Sequence, residues 1–207
     1  EGDKAIRRIR KEKIIFNMMI HYELMHVDIF LGAFPNSLFF NMVRNPIDLI
    51  YSWKKKGYSD NFLLNPRNAT MLLKHKKKVV PYYAYGIEEK FINSKSIDRL
   101  IYMTKNSLNV SIEKYKSLDN NQKKRVKNIQ FDSLVTNPNK YVKSICKLLN
   151  TDKTNYTNQI LLEENCPRLV KKIERKNKMS YIKKNTSKNA FKALEEMLDQ
   201  YHRFYKI

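Results

Sequence analysis

The chain has 207 residues, 42% hydrophobic and 29% charged, which is enough for one domain with its own core and unlike a disordered segment. Its apolar runs are short, so none approaches the roughly 20 residues of a membrane-spanning helix. The 41 basic and 20 acidic residues give a net charge of +21, which favours anionic partners, although 31 lysines and 22 asparagines also suit faces that are merely solvated. Cys146 and Cys166 could form at most one bridge and have no metal spacing, so two reduced thiols are expected, with Cys146 in the core. No metal cofactor is implied.

The charged first residues read as the tail of a helix leading into a strand. KIIFNMMI (13–20), compact and partly β-branched, predicts a buried strand. Residues 21–34 carry helical spacing at Leu24, Val27 and Leu31, stopped by Gly32 and Pro35. LFFNMV (38–43) predicts a second buried strand. The helix expected next, within 44–57, has strong start signals: Asn45 as N-cap, Pro46 in the first turn and Asp48 facing the positive helix end. Gly57 ends it. Residues 57–90, with Pro66, Pro81 and Gly86, read as a long irregular excursion.

An amphipathic helix follows over 96–117, then a third strand within 125–134 and a helix over 138–149, its apolar face formed by Tyr141, Ile145, Leu148 and Leu149. Further helices fit 154–164 and 187–203. Strands alternating with helices predict an α/β fold, a parallel β-sheet flanked by helices, in a single domain over 1–207.

Ligands of open parallel sheets bind where strands end at the carboxyl edge and helices begin. Arg44 sits at such a place, between LFFNMV and the helix capped by Asn45. Ser52 lies two helical turns beyond that cap, on the same face. An arginine fork, a hydroxyl and a helix N-terminus suit a phosphate dianion. A local salt bridge and a packing contact would satisfy the same two residues.

The segment SLFFNMVRNPIDLIYSWKKKGY resembles the second cofactor-binding motif of sulfotransferases that use 3′-phosphoadenosine 5′-phosphosulfate (PAPS). Arg44, Asn45, Pro46, Asp48 and Ser52 all match that motif, in which a strand ends in Arg-Asn/Asp-Pro and a serine follows eight residues after the arginine. KNIQFDSLVTNPNKYVKSICKLLN (127–150) is similar to the family's later strand, turn and amphipathic helix. The resemblance implies a P-loop NTPase-like fold of the sulfotransferase type. It also implies that Arg44 and Ser52 bind the donor's 3′-phosphate, with a hydroxyl-bearing acceptor such as a carbohydrate. The family's Ser/Gly/Thr loop for the 5′-phosphosulfate has no counterpart here, so an N-terminal strand–loop–helix is expected to be missing from this stretch.

Transfer to an alcohol needs a group that accepts the hydroxyl proton, and histidine suits neutral pH. His21, directly after the expected strand 13–20, is the first candidate for this catalytic role. His26 and Glu23 compete with it. The basic block 171–184 falls where the family closes a basic loop over the nucleotide, leaving Arg175, Lys176 and Lys178 without assigned roles.

With no signal or transit peptide visible, the expected compartment is the cytoplasm. Sequons at Asn68, Asn109, Asn155 and Asn185 leave the secretory lumen open. The alternative reading is a non-catalytic basic module binding nucleic acid or sulfated glycan, with Tyr82, Tyr83 and Tyr85 available for stacking.

Overall fold

The computed structural model of the chain describes residues 2–12, 15–19, 23–60 and 71–206. His21 lies outside these residues, as does the sequon at Asn68, and the side chain of Glu23 is likewise not described.

Gly2–Glu12 forms an exposed helix (α1). A 3₁₀ turn at Glu23–His26 leads into Val27–Ala33 (α2), which buries Val27 and Leu31 and ends just before Pro35. The strand Phe39–Val43 (β1) follows, then Pro46–Lys55 (α3). The start of α3 forms as its residues dictate: the Asn45 side-chain oxygen accepts from the Ile47 amide at 3.0 Å, and Pro46 occupies the first turn. Gly57, at φ 72°, takes the left-handed conformation that ends the helix region.

Part of the expected excursion is ordered as an antiparallel hairpin, Leu72–His75 (β2) with Lys78–Pro81 (β3). Lys76 turns the chain at φ 54° without the Asn-Gly signal that usually marks such turns. Glu88–Asn93 (α4), Ser96–Ser117 (α5) and Asn120–Arg125 (α6) precede Val126–Gln130 (β4). The third strand is therefore shorter than expected, because Phe131–Thr136 (α7) is already helical. Pro138–Leu148 (α8), Thr157–Glu163 (α9), Lys172–Lys184 (α10) and Lys188–Tyr205 (α11) complete the chain.

β1 and β4 pair in parallel, from Phe39 opposite Val126 to Val43 opposite Gln130. Among the described residues this is the whole parallel sheet, and helices flank it. The strand expected over 13–20 does not form in its described part. Residues 15–19 join no ladder, and Phe16 and Met19 are each 85% exposed. β propensity describes fit to a pleated, half-buried surface, and no described strand offers one to these residues.

Two apolar clusters hold the domain. The larger packs Ile50 of α3, Phe91 of α4, Leu100 and Met103 of α5, and Leu194 and Met197 of α11. The smaller joins Leu24, Val27 and Leu31 to Leu118 and Val126, and so anchors α2 beside β4. α8 differs from expectation: Pro138 is its one buried residue, Leu148 is exposed and Tyr141 half-buried. Both cysteines are free, and Cys146 is half-buried rather than a core residue. No helix among the described residues is long and apolar enough to cross a membrane.

Candidate functional site

The register of the parallel pair builds the site. Val43 and Gln130 face each other at the strand ends, so the next residues, Arg44 and Phe131, emerge side by side at the carboxyl edge. The Arg44 guanidinium carbon lies 5.2 Å from the centre of the Phe131 ring. Arg168 reaches the same ring at 5.4 Å. Its backbone is fixed by its amide, which donates to the Val135 carbonyl of α7 at 2.8 Å. The Nε of Arg44 is buried and has no hydrogen-bond partner among the described residues.

α3 and α10 form the adjoining wall. Arg175 donates from Nε (2.8 Å) and Nη2 (2.5 Å) to Asp48 Oδ2, and Nη2 also reaches Asp132 Oδ2 at 2.6 Å. Lys178 Nζ donates to Asp48 Oδ1 at 2.7 Å. Burial by itself would raise the Asp48 pKa, but hydrogen bonds from Lys178 and Arg175 outweigh it and hold the carboxyl below its ordinary value. For Arg175, burial works to lower the pKa, while its hydrogen bonds to Asp132 and Asp48 raise it above the usual arginine value.

These groups enclose a cleft of about 280 Å³, whose lining includes Arg44, Asp48, Phe131, Asp132, Arg168 and Arg175. The two inner carboxylates are not spare: Asp48 is taken by Arg175 and Lys178, and Asp132 by Arg175, while the exposed Glu174 at the rim lies 4.0 Å from Lys171. Arg44 and Arg168 have no carboxylate partner among the described residues. Two unneutralised guanidiniums against one ring, one with a buried orphan N–H, are stabilised by an anion that comes to rest between them. The cleft is thus suited to an anion of phosphate size, held by charge-assisted hydrogen bonds.

The structure places Arg44 in the wall of this cleft. Ser52, one turn beyond Asp48 on α3, is half-buried and is not among the lining residues. His26 is half-buried, lies outside the lining, and sets its ring 6.5 Å from that of Tyr82. The basic block 171–184 is helical from Lys172 onward, as α10, and not a loop. Its Arg175 and Lys178 bridge to α3, and Lys176 is exposed.

Sequence reasoning missed Phe131 and Arg168. Phe131 had a signal, since it follows β4 as Arg44 follows β1, but it was absorbed into an overlong strand. Arg168 had none, because only the fold brings it to the ring. No group of three or more metal-ligating side chains occurs among the described residues. Compared with protein-family models, curated proteins and solved structures, the chain matches none of them.

Proposed function

We propose that this chain is a PAPS-dependent sulfotransferase with a P-loop-like fold of the sulfotransferase type, which moves a sulfuryl group to a hydroxyl of a carbohydrate or small-molecule acceptor. The observation that carries this reading is the buried, unpartnered Nε of Arg44 at the carboxyl edge of two parallel strands, inside the motif RNPID and beside Arg168. The donor supplies the activated sulfuryl group. The chain's part is to fix the donor's 3′-phosphate and to accept the acceptor's proton.

Arg44 and Arg168 hold that phosphate by charge-assisted hydrogen bonds. Ser52 joins them on the strength of the motif alone. Asp48 and Asp132 with Arg175 and Lys178 form the wall behind them, two carboxylates against two cations, so the field that the phosphate meets is mainly that of Arg44 and Arg168. His21 receives the proton of the acceptor hydroxyl, with His26 and Glu23 as the competing bases.

Calorimetry with adenosine 3′,5′-bisphosphate and adenosine 5′-monophosphate tests the reading. Losing the contacts to the 3′-phosphate should weaken binding by roughly 10- to 100-fold, so the bisphosphate should bind more tightly by that factor. Equal affinities would contradict the assignment. A steep salt slope with no preference between the two nucleotides would favour the basic polyanion-binding module instead.

A further inference from the structure

We propose that α1 together with residues 15–19 is a docking surface for an anionic lipid bilayer. Every residue of α1 from Gly2 to Glu12 is exposed, and none of them is buried against the described residues. At 100° per residue, Ala5, Ile6 and Ile9 share one side of α1. Lys4, Arg7, Arg8 and Lys11 share the opposite side. Ile6 and Ile9 are 47% and 51% exposed. The chain beyond the helix continues the apolar theme, with Phe16 and Met19 in water.

A helix with one short apolar stripe and a basic face is the pattern that lies in the plane of a membrane interface. The basic face is drawn to the negative surface, while the stripe and the adjoining apolar side chains enter the headgroup boundary. Charge complementarity alone would also suit a nucleic acid. That partner would use the basic face and leave Ile6, Ile9, Phe16 and Met19 exposed to water, with their apolar surface unused. A bilayer takes both features at once. This surface is separate from the Arg44 cleft, whose lining contains no residue of 2–19.

Co-sedimentation of the whole chain with vesicles of phosphatidylcholine, or phosphatidylcholine with about one-third phosphatidylserine, tests the proposal. Partition onto the phosphatidylserine vesicles and not the neutral ones is expected. Each basic residue at such a surface strengthens binding roughly fivefold, so the triple variant R7S/R8S/K11S should lose about 100-fold. The double variant F16S/M19S should lose about tenfold or more through its lost apolar burial. All five positions are exposed, so both variants should keep the parent's thermal unfolding midpoint.

Failure to sediment with phosphatidylserine vesicles would overturn the proposal, as would equal binding by parent and both variants. Tighter binding to single-stranded RNA, weakened by R7S/R8S/K11S and indifferent to F16S/M19S, would replace the bilayer with a nucleic acid. A dimer abolished by F16S/M19S, in a chain that ignores vesicles, would assign the surface to a second copy.

Discussion

If the chain is the sulfotransferase proposed above, replacing His21 with alanine should lower sulfuryl turnover by about 10²–10⁴-fold while leaving nucleotide affinity nearly unchanged, as loss of a positioned general base does. As the acceptor oxygen bonds to sulfur, its proton needs a neutral base, and a histidine is half-neutral near pH 6.5. His21 follows a stretch whose place in the motif order, ahead of Arg44, resembles that of the family's base. His26 offers the contrast. Its ring lies beside that of Tyr82, at 6.5 Å, and if that packing is its role His26→Ala should cost only a few-fold. Turnover of both variants with a labelled sulfuryl donor, beside nucleotide affinity for each, separates the candidates. A dead His26→Ala with an active His21→Ala would move the role five residues along the chain. If neither variant loses more than a few-fold, the base is Glu23 or another group.

Asp48→Asn should destabilise the fold by about 3 kcal/mol at neutral pH, because it leaves Arg175 and Lys178 without their shared counter-charge. Removing one partner of a wholly buried pair costs more. Here about a quarter of each cationic side chain still reaches water, 24% for Arg175 and 28% for Lys178, and Asp132 keeps hold of Arg175. The pH dependence has a definite sign. The carboxyl's folded pKa lies below its ordinary value of 3.8, so its ionised form contributes stability above that value. The contribution fades as the pH falls from about 4 through the folded pKa, and there the parent approaches the variant. Chemical denaturation of both proteins at neutral and acid pH measures this. A neutral-pH difference under about 0.5 kcal/mol would place Asp48 among indifferent surface positions.

What was legible in the sequence is what is local. Phe39–Val43 is an apolar run, Asn45 and Pro46 cap and start a helix by their own side chains, and Arg44 lies between them. The long helix Ser96–Ser117 declares itself through Ile97, Leu100, Ile101 and Ile112. Pairing across the chain is not legible in this way. The 72–81 hairpin turns at two lysines, Lys76 and Lys77, where turn chemistry predicts nothing. Residues 15–19 have strand composition and, among the described residues, no strand to join. α10 carries its apolar residues too sparsely to announce a helix, and the loop expected for its basic block came from the family resemblance alone.

The site divides along the same line. Arg44 could be named from one strand end, but Phe131 and Arg168 meet it only because β1 and β4 finish in register and α7 fixes the backbone at 168. Asp48 sits in the first turn of its helix as expected, and is also held by two cations from a helix that begins 124 residues later, which the sequence does not show.

The most direct measurement is calorimetry of adenosine 3′,5′-bisphosphate binding to the parent chain and to Arg44→Ala. If the unpartnered guanidinium reads the 3′-phosphate, the variant should bind roughly 10- to 100-fold more weakly, while its affinity for adenosine 5′-monophosphate hardly changes. Unchanged bisphosphate affinity in a folded Arg44→Ala chain would contradict the account.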